Sequence, residues 1–346
     1  MPVVPDNLAQ NNRLKNRRWL MLLALPLMAA AFLLFSFSYE WFSARSANGR
    51  YPMPGRLVDA GGFRLHLHAS GSGKPTVVFE SGSGEPSWSW RSVPERLASQ
   101  ATVVTYDRAG YAWSEPSPHV RNGANIVREL HTALQNSGLQ GPYILVGHSL
   151  GGMYMRLFAQ TYPEETAALV LVDARDEENE RRSLEALEHE RLPSQPSPAT
   201  LTWLKRSGMF RLFQNDLLDG YVDEPDRGRF VDIAATPDYF DAKAEEANLA
   251  RQTEDAIRGQ TLGKIPVRIL SRGLPVDGAS AGLSPQTSAK LEEIWEEGQK
   301  HLLTISEDTE QIMAERSGHY IMNTEPELIA DIVGSLLNKL DSGKEN

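Results

Sequence analysis

Hydrophobic positions follow three rhythms along this chain. Residues 19–39 form one uncharged, mostly apolar run. From about residue 63 to 175, short apolar runs alternate with amphipathic stretches. Residues 63–69 alternate apolar and polar positions as an edge strand does, and 76–79, 102–106, 143–146 and 168–172 are short apolar strand candidates. Helices are expected over 88–99, 122–136 and 151–161, the second with Ile126, Leu130, Ala133 and Leu134 on one face. A third rhythm fills 176–259, charge-rich and helical, with Pro193, Pro196 and Pro198 between segments and no clear strand. The strand–helix alternation then resumes with strands at 266–271 and 311–314 and helices at 284–306 and 326–340, Pro326 opening the last. Such alternation predicts βαβ units and a mostly parallel sheet covered on both faces. The core is expected over 63–175 and 260–340, with 176–259 as a helical insertion lying over it as a lid.

The first rhythm predicts a membrane anchor. At about 1.5 Å per residue, residues 19–39 reach roughly 30 Å, the thickness of a hydrocarbon core. Trp19 stands at one end, and Tyr39 and Trp41 stand at the other, where headgroups lie. A cleaved signal peptide is the alternative, since Ala29-Ala30-Ala31 offers small residues. However, the run exceeds the usual 7–15 residues of such a segment, and Phe32-Leu33-Leu34-Phe35 follows directly. Arg13, Lys15, Arg17 and Arg18 precede the run, against the scattered Arg45, Arg50 and Arg56 after it. That asymmetry favours a cytoplasmic tail over 1–18 and a body on the outer face. Residues 40–62 then form a loose linker, marked by Gly49, Pro52, Pro54 and Gly55.

Composition narrows the chemistry. The formal net charge of −10 argues against holding nucleic acid by counterion release. With no cysteine, the 346 residues hold no disulfide, no cysteine nucleophile and no thiolate metal site.

The sharpest local signal is Gly147-His148-Ser149-Leu150-Gly151, between a strand and a helix. A strand-to-helix reversal within five residues forces strained backbone at the serine, and the flanking glycines remove side chains that would clash. The hydroxyl is thereby lifted above the strand ends, where open α/β sheets bind ligands. Free N–H groups at the helix start suit a forming oxyanion.

With this motif, residues 54–340 resemble the α/β-hydrolase fold family. The resemblance implies that Ser149 is the nucleophile and that the N–H groups of Leu150 and Ser83 form the oxyanion hole. Ser83 comes from Phe79-Glu80-Ser81-Gly82-Ser83-Gly84. Asp107-Arg108-Ala109-Gly110-Tyr111-Ala112-Trp113-Ser114 is similar to a structural loop of the family, with Ala112 at its second glycine position. Of eight histidines, only His319 follows a late strand and precedes a final helix, the place of the family's base. Two residues compete for the acid. Asp277 follows the strand before the last helix pair, and Asp173 ends the preceding strand; Asp173 is favoured because a rigid strand end holds it.

Other histidines and acids carry structural readings. His148 is expected to pack below Ser149, and His66 and His68 to share one face of a solvated edge strand rather than bind metal. His119 and His189 fall in loop or insertion. Residues 176–180 are expected as a solvated face, and Gly71-Ser72-Gly73-Lys74-Pro75 lacks the spacing of a phosphate loop. No metal or cofactor is implied. The expected function is a serine hydrolase acting on an ester or related acyl bond of a small molecule, through Ser149, His319 and an aspartate. Alternatives on the same fold are C–C hydrolysis, haloperoxidase-type chemistry, acyl transfer, or a non-catalytic tethered module. Serine rather than aspartate in the elbow disfavours dehalogenase and epoxide-hydrolase chemistry.

Overall fold

Eight strands build one sheet in the order β1-β2-β4-β3-β5-β6-β7-β8. They are β1 (Arg56–Asp59), β2 (Arg64–Ser70), β3 (Thr76–Glu80), β4 (Val103–Tyr106), β5 (Tyr143–His148), β6 (Thr166–Val172), β7 (Val267–Arg272) and β8 (Thr309–Ala314). The computed structural model describes residues 7–192, 194–259, 261–279 and 282–342, with side chains from Ala24 onward. Residues 1–6 of the expected tail, Pro193 and Gln260 lie outside the described residues. The described residues divide into two compact units, those within 53–198 with 236–342, and those within 7–52 with 199–235.

In the sheet unit, β1 and β2 pair antiparallel, as do β2 and β4, and β3 to β8 run parallel. Alternation along β5 shows why both faces must be covered. Tyr143 and Leu145 enter one buried cluster, with Leu130 and Phe158; Ile144 and Val146 enter the other, with Trp90, Leu97 and Val333. Successive strand residues point to opposite faces, so a strand apolar at every position needs helices on both. Burial of each such side chain contributes about 1.5–3 kcal/mol.

The chain leaves β3 toward β4 on one side and leaves β5 toward β6 on the other. The crevice at the C-terminal ends of β3 and β5 is therefore a topological switch point, where such sheets place ligands.

Three expectations change. The expected 40–62 linker contains the end of a long helix, a short helix Ala47–Arg50 and the strand β1. Because β1 covers β2, β2 is no edge strand, and His66 is buried with Nδ1 2.7 Å from Asp107 Oδ2 rather than solvated. The insertion is not one piece either: the helices Asn179–Leu187 and Pro237–Ile257 belong to the sheet unit, whereas residues 199–235 group with the N-terminal helix.

In the second unit the helix Asn7–Arg45 runs 39 residues, past the expected end at Tyr39. Over Ala24–Arg45 it is long and apolar enough to cross a membrane. Ser36 and Glu40 are buried, four residues apart on one face, and Ala47 in the next helix is buried too. Glu40 pairs with Lys205 at 2.6 Å and Arg211 at 2.8 Å, and the Ser36 hydroxyl donates to the Ser207 carbonyl. These partners turn what sequence marks as a linker start into a packed helical turn.

Candidate active site

Ser149 caps the helix Leu150–Thr161 at φ +51°, the strained conformation that the reversal after β5 demands. The neighbouring glycines are steric necessities. A Cβ on Gly147 would lie 2.7 Å from the Gly151 carbonyl oxygen, and one on Gly151 would lie 2.5 Å from that of Ser81. The elbow can therefore close only on hydrogen atoms.

His319 meets Ser149 from the turn after β8. Its Nε2 lies 3.1 Å from Ser149 Oγ and its Nδ1 lies 2.7 Å from Asp173 Oδ2. Asp173 directly follows β6 and is held at φ +39°. Three further donors converge on its carboxylate: Trp295 Nε1 at 3.0 Å, the Arg272 backbone N–H at 3.2 Å and Arg272 Nη1 at 2.9 Å. Burial opposes the Asp173 charge, yet the bond from His319, the Arg272 charge and Trp295 together hold its pKa at about 2. Burial pushes the His319 imidazole below its usual range, with the Asp173 hydrogen bond pulling the other way.

Of the two competing aspartates, only Asp173 sits on the imidazole. Asp277 is exposed in the loop after β7, where its Oδ1 accepts the Ala279 N–H at 3.0 Å. A rigid strand end, four donors and full burial separate Asp173 from that loop residue.

Ser83 lies in the loop that follows β3, the strand paired with β5. Arg108 is buried beneath it and donates to the carbonyls of Ser81 at 2.7 Å and Gly82 at 2.8 Å. The Gly82–Ser83 peptide is trans, so a carbonyl aimed at Arg108 sends the Ser83 N–H the opposite way. Leu150 is the first helical residue, where the N–H has no acceptor within the helix. Arg108 is itself neutralised by Glu80 at 2.6 Å and Glu246 at 3.1 Å. Burial raises Glu80 to about 7, against the Arg108 charge and the Tyr106 hydroxyl that bond it.

His148, expected only to pack, has a defined chemistry. Its Nδ1 faces Glu85 Oε2 at 3.0 Å and its Nε2 faces the His319 carbonyl at 2.9 Å. The carbonyl only accepts, as does Glu85 while ionised, so the pair favours a ring with protons on both nitrogens. Burial opposes both charges, yet their mutual attraction raises the His148 pKa and lowers that of Glu85. Glu85 also accepts the Gly82 N–H at 3.0 Å, tying elbow, β3 loop and His319 turn together.

Sequence reasoning missed Glu85, Arg272 and Trp295. Only Arg272 left a signal there, as a charged residue just past a strand otherwise apolar enough to be buried. Residues 176–180, expected as a solvated face, include the buried Asp176 and Glu177. With His301 they bring ligand-type atoms within 4.8 Å, but Asp176 bonds His301 at 2.7 Å and Glu177 pairs with Arg156. The cluster satisfies its own charges.

The model of the alpha/beta hydrolase fold matches residues 75–248. An uncharacterized protein of Bacillus subtilis, YbdG, is 34% identical over 151 residues, 42% of this chain and 46% of that protein. A 2-hydroxy-6-oxo-2,4-heptadienoate hydrolase of Pseudomonas putida is 34% identical over 123 residues, 35% of this chain and 44% of the enzyme. Either match spans under half of the relative's length. The epoxide hydrolase CorEH without ligand superposes with a TM-score of 0.60 at 18% identity, over 82% of this chain and 98% of that one. That likeness concerns the fold alone. With the strand order, the elbow and the matched residues together, the chain belongs to the α/β-hydrolase fold family.

Proposed function

We propose that the protein is a serine hydrolase that cleaves an ester or related acyl bond of a small molecule through an acyl-enzyme. The supporting observation is the continuous relay from Asp173 through His319 to Ser149, at 2.7 and 3.1 Å. Ser149 Oγ attacks the carbonyl carbon while His319 Nε2 takes its proton. Asp173 fixes the imidazole so that Nδ1 keeps its proton and Nε2 keeps its lone pair. The N–H groups of Leu150 and Ser83 receive the forming oxyanion. The alkoxide then leaves with the proton from His319, water attacks the acyl-enzyme with His319 again as base, and the acid departs. A chain-length series of p-nitrophenyl esters tests this: turnover with a burst of p-nitrophenol is expected from the full chain, and its absence across the series contradicts it.

C–C bond hydrolysis is the second reading, favoured by the local identity to the Pseudomonas putida hydrolase. Turnover of a 2-hydroxy-6-oxo-dienoate without ester turnover would select it.

We also infer that the N-terminal helix spans a bilayer uncleaved, with the N-terminus cytoplasmic. Ser36 and Glu40 pack on the chain's own residues 205–211, which suits a permanent part of the fold better than a discarded leader. A reporter active only outside the cytoplasm, fused at the C-terminus, should work; silence reverses the orientation.

A further inference from the structure

The unit built from the N-terminal helix and residues 199–235 carries a feature that an anchor alone does not require. Four large side chains within nineteen residues of the insertion stand in the open: Trp203 (54% exposed), Phe213, Leu217 and Tyr221 (68%). None belongs to the sheet unit or to the relay. So many exposed apolar side chains in one short segment mark a candidate contact surface.

The helix fixes the height at which residues 205–211, between Trp203 and Phe213, lie. Ser36 touches Ser207 and Gly208, and Glu40 grips Lys205 and Arg211. Gly208 sits at φ +79° with the Ser36 backbone against it, an approach any side chain would block. Counting from Trp19, Ser36 and Glu40 lie roughly 26–32 Å up the helix axis. A hydrocarbon core about 30 Å thick that begins at Trp19 thus ends at the level of these contacts. On the helix's own surface, Phe37, Trp41 and Phe42 are exposed at that same level. The contacts therefore hold residues 205–211 where the hydrocarbon meets the headgroups, beside a helix surface that is still apolar.

We propose that residues 199–221 lie in the headgroup layer of a phospholipid bilayer, with Trp203, Phe213, Leu217 and Tyr221 dipping toward the acyl chains as a second membrane contact. The inference rests on the reading that the helix spans the membrane. Its chemistry suits the place. Trp and Tyr have amphipathic rings that favour the interface. Arg206, exposed one helical turn after Trp203, is on the same face and within reach of lipid phosphate. Glu40 is the one acid among residues 19–45 of the helix; it is neutralised by Lys205 and Arg211, so the clasp at this depth presents no unpaired charge to lipid. Asp232 closes the network further out, pairing with Arg211 and with Arg50 at 2.6 Å each.

The absence of cysteine allows a direct test on the full chain. Trp203→Cys, Phe213→Cys, Leu217→Cys and Tyr221→Cys, each at an exposed side chain, are spin-labelled singly in vesicles of phosphatidylcholine and phosphatidylglycerol. Leu34→Cys, exposed in the helix, reports lipid, and Leu274→Cys, exposed in the sheet unit, reports water. Oxygen accessibility should exceed that of a water-soluble nickel chelate at all four insertion positions, with nickel access several-fold lower than at Leu274→Cys. If they match Leu274→Cys while Leu34→Cys reports lipid, the anchor stands and the second contact is overturned. Low access to both reagents means that protein covers the face, a partner or a second copy, and also overturns it. If Leu34→Cys itself reports water, the spanning helix is wrong, and this inference fails with it.

Discussion

Two imidazoles lie side by side at the end of β5, with ring centroids 4.6 Å apart, and each has a carboxylate within 3.0 Å. They differ in what faces the second nitrogen. For His319 it is a hydroxyl, which can give a proton; for His148 it is a carbonyl, which cannot. One ring can thereby turn a lone pair to Ser149, while the other is held between acceptors that favour its cation. Proximity to an acid does not make a histidine a base. The partner of the other nitrogen decides, and here that partner is set by the turn that carries His319.

Substitutions at the reactive ring should have the largest effects. Ser149→Ala and His319→Ala should each fold and lose roughly three or more orders of magnitude in turnover. Asp173→Asn should follow closely, because an amide at that position favours the wrong tautomer of His319. Asp277→Asn should leave turnover nearly unchanged. Equal losses from the two aspartate variants, measured as kcat/KM, would remove Asp173 from the relay.

A finer test separates the two rings by pH. Burial and the neighbouring cation both favour neutral His319, so the acid limb of kcat/KM should lie below the ordinary histidine value of about 6.5. Glu85→Gln keeps a hydrogen-bonding side chain but lets His148 give up its second proton. His148 depresses the His319 pKa more than Glu85 raises it, so losing both charges should move the acid limb upward, with a loss on the order of tenfold or less at neutral pH. An unmoved limb would reduce Glu85 and His148 to packing.

The smallest effect concerns Ala112. It adopts φ +43°, in the place of a family glycine, and Ala112→Gly should raise stability by up to about 1 kcal/mol in urea unfolding.

Much of this was legible in the sequence because the sheet is buried on both faces. Strands such as β5 then carry unbroken apolar runs, here 143–146, a signal that survives without tertiary knowledge. The elbow was legible for a similar reason, since close backbone approach leaves only glycine at Gly147 and Gly151. β1 was not, because Arg56–Asp59 is short, pairs on one edge and has only Val58 buried. The Glu85 partnership was invisible because it joins residues 63 positions apart through a loop of small polar residues. The division of the insertion was equally hidden. It depends on Glu40 meeting Lys205 and Arg211, and an acid after an apolar run looks the same whether it faces water or a partner.

In the proposed reaction Ser149 is the one activated hydroxyl. Labelling the full chain with a fluorophosphonate and mapping the modified peptide by mass spectrometry tests it most directly. One adduct per chain is expected, on Ser149, absent from Ser149→Ala and greatly slowed in His319→Ala. Stoichiometric labelling of Ser149→Ala, or an adduct on any other serine, would contradict it.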